Sequence, residues 1–277
     1  MSQPTTPAVI AHEAYFHRIG YTGNRAPTLA TLRGIQARHS QTIAFENLDP
    51  LLGRPVRLDP ASLQQKLIHD RRGGYCFEQN LLLSGVLKAL GFCVAPLAAR
   101  VLWNRPDDAI TGRTHMLLRV DIEGQHYLAD VGFGGQTPTG PLRLEMDLEQ
   151  ATPHESFRIA KAGDGFKMQS KVGEAWRTLY RFDLQEELQP DYEIANHYTS
   201  THPSSLFVNS LRAARPAEDR RFALLNNELA VHHLHGPTER RVLKSVAEMR
   251  QTLEGPFRLK LPDVPELDRV LERFLDT

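Results

Sequence analysis

The chain is poor in cysteine. Two residues in 277, Cys76 and Cys93, make no disulfide framework, and the plain reading is a reducing compartment with free thiols. It also lacks an excess of either charge. With 33 basic and 33 acidic residues the formal net charge is zero, so nothing recommends nucleic acid or an anionic membrane as a partner. No stretch of about 18 apolar residues exists, so no transmembrane helix is expected. The Pro/Thr-rich start, Met1 to Ile10, has no basic segment followed by an apolar run and does not read as a signal peptide, so a cytoplasmic location is expected. Internal repeats and low-complexity segments are absent. So are CxxC, HExxH and any clustered Cys/His spacing, so no metal is expected. Hydrophobic content of 41% and charged content of 24% are ordinary for a globular protein, and the length allows one large or two to three small domains.

What stands out is Arg71-Arg72-Gly73-Gly74-Tyr75-Cys76-Phe77-Glu78-Gln79-Asn80. Two glycines precede a cysteine, an apolar-periodic run follows to Leu90, and Gly91 sits where a C-cap glycine would. The pattern predicts a tight turn at Gly73-Gly74 and a helix with Cys76 in its first turn. Unpaired N–H groups and the positive end of the helix dipole favour thiolate there, which suits a nucleophile. Cys93, in the apolar run Phe92 to Ala99, reads as a buried core thiol.

Residues 1–8 read as a loose tail. Helices are expected at Ala11–Ile19, ended by Gly20, from Pro27 through Ile35, and after the N-cap Asp59 with Pro60 at the first helical position. Ile43 to Asp49 reads as a connector. Residues 1–90 are therefore a helical domain. From Gly91 strands dominate: Phe92–Trp103, Thr114–Asp121, Gln125–Val131, Ser156–Ala160, Phe166–Val172 and Trp176–Phe182, with Glu123-Gly124 a hairpin turn. Connections this short leave no room for βαβ crossovers, so residues 91–190 are an antiparallel, barrel-like domain. In residues 191–277 the expected elements are a short helix at Tyr192–Tyr198, strands at Phe207–Leu211 and Arg221–Leu225, and helices at Arg240–Leu253 and Glu266–Leu275. This makes a small α/β domain or lid.

A thiol nucleophile needs a base, and the base needs an orienting group. Of 12 histidines most sit in polar or loop settings. His115 starts a strand, with His126 a weaker rival. Asp130 ends the apolar strand Tyr127-Leu128-Ala129, where an unpartnered carboxylate is costly. If the two strands form a hairpin, His115 lies roughly opposite Asp130. Spacing alone leaves open whether Cys76, His115 and Asp130 act together or have separate structural roles. Gly132-x-Gly134-Gly135 is neither a dinucleotide fingerprint nor a phosphate loop.

These residues resemble the arylamine N-acetyltransferases. The likeness is carried by Arg72 to Asn80, by Thr114-His115 with Leu117 to Val120, and by Tyr127-Leu-Ala-Asp-Val-Gly-Phe-Gly134. Upstream it continues through Tyr15 to Gly20 and Phe45 to Asp49, and weakly downstream into His202 to Phe207. Ala44 stands where the family often has proline. The resemblance implies an α+β multidomain fold of helical bundle, antiparallel β-barrel and α/β lid, with a cysteine-protease-like Cys-His-Asp arrangement of Cys76, His115 and Asp130. It implies acetyl transfer from acetyl-CoA to arylamines or arylhydrazines, and to the oxygen of arylhydroxylamines, by a ping-pong route through acetyl-Cys76. Small aromatic amines or hydrazines and coenzyme A are then the partners, and a monomer or homodimer the assembly. Phe45 and Phe133 are expected as aromatic walls for the acceptor, and Gly132 and Gly134 as the space for the pantetheine arm. Arg72 and Glu78 are expected to be structural. The alternative within the same fold is an amide synthase acting on a carrier-bound polyketide thioester.

Overall fold

The computed structural model describes residues 10–275. The expected tail, residues 1–8, lies outside them. Helix α1, His12–Ile19, stops at Gly20, whose φ of 64° is left-handed. Helix α2, Leu29–Thr42, begins where the Thr28 hydroxyl accepts the Thr31 N–H. The expected connector forms a short strand, β1 (Phe45–Glu46), and a single turn, α3 (Leu48–Leu51). Helix α4, Pro60–Gln64, has the anticipated Asp59 cap, with Asp59 Oδ1 accepting from Ser62 N at 2.9 Å, and runs on as a π-helical turn through His69. Helix α5, Cys76–Ala89, follows, with Gly91 at φ 86° just beyond it.

Eight strands come next: β2 (Cys93–Val101), β3 (Arg113–Ile122), β4 (Gln125–Ala129), β5 (Leu142–Arg143), β6 (Gln150–Ala151), β7 (Ser156–Ala162), β8 (Gly165–Val172) and β9 (Ala175–Glu186). They form one sheet in the order β5-β4-β3-β2-β9-β8-β7-β6, and every ladder is antiparallel. The sheet curls into a nearly closed barrel. Its edge strands meet through a side chain rather than a ladder: Arg143 N donates to Gln150 Oε1 at 2.7 Å and Gln150 Nε2 to Arg143 O at 2.9 Å. Strand β3 is buried on both faces. Leu117 points into the barrel with Leu97, Phe157 and Ile159, whereas Met116, Leu118 and Val120 pack on the helices with Phe77 and Val86. That double burial is why its alternation is imperfect in sequence.

The rest of the chain holds α6 (Gln189–Thr201), α7 (Leu206–Asn209), β10 (Arg212–Pro216), β11 (Arg220–Leu225), β12 (Glu228–His233), β13 (Thr238–Val242), α8 (Val246–Glu254) and α9 (Glu266–Glu272). Two expectations fail here. Phe207–Leu211 is not a strand: Ser205 Oγ accepts from Phe207 N at 3.2 Å and starts a helical turn instead. Arg240–Leu253 is not one helix: residues through Val242 pair with β12, and α8 starts only after the Ser245 cap. Strand β13 is exposed throughout and rich in Glu and Arg, so it lacks the apolar alternation that signals a strand, and pairing overrides its helix-forming composition. The second sheet runs β1-β10-β11-β12-β13, so a strand from the first fifth of the chain edges the C-terminal sheet. Ala44, Leu48 and Leu51 accordingly share a core with Leu211, Leu253 and Phe257.

Candidate active site

Cys76 is the first residue of α5. The glycines before it do not make the expected tight turn; the positive φ is at Arg71 (53°). Gly73-Gly74 instead runs close along β1, with Glu46 N donating to Gly74 O at 3.1 Å and Gly74 N to Ala44 O at 3.3 Å. A Cβ on Gly73 would lie 2.2 Å from the Ala44 carbonyl oxygen, and one on Gly74 2.6 Å from Glu78 Oε2. Glycine is needed here for close approach.

Beneath this segment lies a buried ionic cluster. Arg72 donates to Glu46 Oε1 (2.8 and 3.0 Å) and Asp49 Oδ1 (both 3.1 Å), while Lys66 Nζ lies 2.6 Å from both Asp49 Oδ2 and Glu78 Oε1. Glu78 closes the helix start by accepting Tyr75 N at 3.0 Å. Burial, aided by Asp49 and Glu46 and opposed by Lys66, pushes the Glu78 carboxyl above its usual range. Arg72 and Glu78 thus have the structural surroundings anticipated for them.

The structure brings Cys76, His115 and Asp130 together. His115, on β3, places Nε2 2.7 Å from Asp130 Oδ2, which leaves Nδ1 for the Cys76 sulfur; Sγ also lies 3.6 Å from the Thr114 carbonyl. All three side chains are buried. The β3–β4 ladder ends at Leu118↔Ala129, so His115 does not pair with Asp130 across the hairpin. Its ladder partner is Ala99 of β2, and Asp130 reaches it after leaving β4. Burial alone would lower the His115 pKa. The Asp130 charge and hydrogen bond outweigh it, Cys76 adds to them, and the imidazole is held up at about 10. Asp130 is held below the usual carboxylate range: burial opposes this, but His115, Gly132 N (2.9 Å) and Asn80 Nδ2 (3.0 Å) overcome it.

Two partners of this trio escape the sequence reading. Asn80 sits one turn after Cys76 on α5; its Nδ2 donates to Asp130 Oδ1 and, at 2.7 Å, to Met116 O, while its Oδ1 accepts Val131 N at 3.1 Å. Its i, i+4 spacing from Cys76 places both on one helix face, a signal available in the sequence. Tyr180, on β9, donates to Asp130 Oδ2 at 3.1 Å and lays its ring 4.8 Å from that of His115. Nothing local in the sequence marks it, because the contact spans 50 residues.

The remaining candidates fall as follows. Phe133 meets His115 edge-on, with centroids 5.1 Å apart, and is half-buried. Phe45, also half-buried, packs on Phe207 at 5.9 Å. Gly134 has φ 86°, and a Cβ there would touch the Phe45 ring at 3.6 Å. At Gly132 the space a side chain would need is filled by protein: a Cβ would stand 2.6 Å from Cys76 Cα and 2.9 Å from Asn80 Nδ2. His126, the rival base, is exposed and 2.6 Å from Asp121 Oδ1. Cys93 is not a core thiol. It opens β2 on the outward side, exposed, 3.8 Å from Asp121. Among the described residues no cluster of three or more His, Cys, Asp or Glu could hold a metal, and no helix is long and apolar enough to cross a membrane.

A helical layer carrying a buried cysteine at a helix start, against a barrel carrying His and Asp, defines the cysteine-protease-like class of Cys-His-Asp proteins. Comparison with known proteins narrows the class. Residues 28–265 match the family model described as N-acetyltransferase. The arylamine N-acetyltransferase of Mycobacterium tuberculosis (strain ATCC 25618 / H37Rv) is 48% identical over 257 residues, covering 91% of this chain and 90% of the relative. That of Escherichia coli (strain K12) is 41% identical over 267 residues, covering 94% and 95%. The structure of the Mycobacterium marinum arylamine N-acetyltransferase in complex with CoA superposes with a TM-score of 0.91 at 43% identity, covering 95% of this chain and 98% of that one. The chain belongs to the arylamine N-acetyltransferase family and is an enzyme of it.

Proposed function

We propose that this enzyme moves an acetyl group from acetyl-CoA to the nitrogen of an arylamine or arylhydrazine, with Cys76 as the acyl carrier, His115 as its proton partner and Asp130 as the group that orients the imidazole. The observation that carries this is the buried contact of His115 Nε2 with Asp130 beside the sulfur of Cys76.

In the first half-reaction the Cys76 sulfur attacks the thioester carbonyl. The Cys76 N–H, at the first position of α5 and without an intrahelical acceptor, supports the oxyanion. As the tetrahedral adduct collapses, the carbon–sulfur bond to CoA breaks and imidazolium gives its proton to the departing thiolate. Acetyl-Cys76 no longer bears charge, so its part in raising the His115 pKa disappears. The now neutral imidazole is ready to accept a proton. In the second half the neutral amine attacks acetyl-Cys76, His115 takes the amine proton, and the sulfur leaves with the electron pair. The original charge pair is restored. Phe45 and Phe133 flank the acceptor ring, and the bare backbone at Gly134 gives the pantetheine arm a close path, whereas Gly132 gives its space to the Cys76 backbone and Asn80. Residues 1–90 supply the nucleophile, 91–190 the base and carboxylate, and 191–277 a lid.

Initial-rate kinetics test the reading. Varying acetyl-CoA at several arylamine concentrations gives parallel double-reciprocal lines, with CoA released before any amine is added. Intersecting lines, with no CoA release until amine is present, contradict it.

A further inference from the structure

The outer face of the barrel carries a row of cations that the acyl-transfer site does not use. Arg100 of β2 is the direct ladder partner of Arg113 on β3 and of Arg181 on β9, and Arg181 is in turn the partner of Lys167 on β8. Cross-strand partners share a face, so four positive side chains line up over four adjacent strands. Like charges directly opposite one another destabilise a sheet.

The two ends of the row are neutralised. Arg113 holds Asp183 at 2.9 Å and Glu187 at 3.3 Å, and Lys167 holds Asp107 at 2.6 Å. The middle pair is not: among the described residues neither Arg100 nor Arg181 has a carboxylate within 4.0 Å, and the one protein acceptor of Arg100 is the Thr111 carbonyl. Two cavities open on this pair, and both are lined by Arg100 and Arg181. One, of about 310 Å³, adds Arg113, Asp164 and Asp183; the other, of about 260 Å³, adds Asp107, Asp108 and Ile110. Asp164 and Asp108 face these cavities without pairing with either arginine.

We propose that Arg100 and Arg181 form a binding site for a phosphate-bearing anion. Two guanidinium forks on neighbouring strands offer several parallel N–H donors, the geometry that phosphate oxygens accept. Phosphate between them removes the repulsion within the row. The anion has two possible sources: the nucleotide phosphates of the acyl donor or a free polyphosphate. The site stands on its own geometry, and only its assignment to the donor rests on the acyl-transfer reading.

Calorimetry with inorganic pyrophosphate at low ionic strength tests the site. Wild type binds one equivalent, and the Arg100→Gln/Arg181→Gln variant binds at least about tenfold more weakly, since charge-assisted hydrogen bonds are lost. Both positions are exposed; Arg181→Gln alone serves if the double variant does not fold. No binding to wild type, or equal binding to wild type and variant, overturns the proposal. Steady-state kinetics then identify the source. If the donor supplies the phosphates, pyrophosphate competes with acetyl-CoA. The variant then raises the KM for acetyl-CoA about tenfold at unchanged kcat, and leaves that for S-acetylpantetheine, which lacks the nucleotide, where it was. If the anion is free, pyrophosphate binds without competing and both KM values are unchanged. The calorimetric result reads the site even if acetyl-CoA proves not to be the donor.

Discussion

Asn80 Nδ2 donates to Asp130 Oδ1 at 3.0 Å and ties the helix that begins with Cys76 to the carboxylate hydrogen-bonded to His115. The same amide holds the Met116 carbonyl and the Val131 N–H. One side chain therefore fixes the distance between the helix of Cys76, the strand bearing His115 and the segment after β4 that bears Asp130. Asn80→Ala removes this partner from the buried Met116 carbonyl and Val131 N–H, at about 1–3 kcal/mol for each group left unsatisfied, while Asp130 Oδ1 keeps Gly132 N. The expected result is a lower midpoint in urea together with an acylation rate reduced by a factor of about 10 or more. Unchanged acylation in a folded variant would show that the helix position does not depend on this amide.

Tyr180→Phe isolates a single hydrogen bond. The ring against His115 and Phe133 remains, and only the 3.1 Å contact with Asp130 Oδ2 goes. A hydrogen bond to a charged acceptor contributes about 1.5–3 kcal/mol, so acylation slows about tenfold while the fold survives. Single-turnover CoA release, with circular dichroism as control, measures both.

Two buried histidines should make opposite contributions to the pH dependence of stability. His115 is raised from an ordinary 6.5 to about 10, so its contribution is full below 6.5 and disappears as pH rises through 10. Unfolding free energies for wild type and His115→Gln should therefore converge on going from pH 6 to above 10; a constant gap contradicts this. His39 is lowered to about 4, chiefly by burial, with Gln79 opposing and Arg18 assisting. Its contribution is present above 6.5 and lost as pH falls through 4. Tyr15 OH reaches Nδ1 and Gln79 Oε1 reaches Nε2, both at 2.8 Å, while Gln79 Nε2 donates to Gly74 O. That chain fixes His39 as the Nε2–H tautomer. Nitrogen-15 spectra should show this neutral form persisting to about pH 4.

The buried ionic cluster gives a sharper stability contrast. Arg72→Met strands Glu46 and leaves Asp49 with Lys66 as its close partner, and removing one partner of a buried pair costs about 3–5 kcal/mol. Exposed Arg25, which pairs with Glu13 on the surface, should cost less than about 1 kcal/mol when changed to Met. Urea unfolding of both variants checks the ranking.

Three neighbouring glycines should respond differently to alanine. Gly132→Ala drives a Cβ into the Cys76 backbone at 2.6 Å, and should lose most activity. Gly134→Ala, at φ 86°, meets the Phe45 ring at an ordinary 3.6 Å and costs about 1 kcal/mol of backbone strain. Gly135→Ala, with nothing within 4 Å, should be close to neutral. Equal effects at all three would mean that the loop is not packed as described.

The sequence shows Cys76 at a helix start because its signals are local: glycines before, an apolar period after, and a stop at Gly91. Helix α4 and the β3–β4 turn were legible for the same reason, through Asp59-Pro60 and Glu123-Gly124. The β1–β10 pairing was not, because Phe45 meets Ala214 across most of the chain and β1 is two residues long. Strand β13 has no apolar face to read. Cys93 misleads because an apolar run suggests burial, whereas its position at the strand's outer end decides exposure. The trio itself was only half legible. Residue types and spacing suggested His115 and Asp130, but the hairpin register implied was wrong. What joins them is the exit of Asp130 from β4 and its capture by Asn80, Tyr180 and Gly132 N.

The central claim, that Cys76 carries the acetyl group, is tested most directly by intact mass after brief exposure to acetyl-CoA without amine. Wild type should gain about 42 Da, one acetyl replacing one hydrogen, and lose it when an arylamine is added, whereas Cys76→Ala should gain nothing. An adduct of the same size on Cys76→Ala, or no adduct and no CoA release from wild type, would contradict the account.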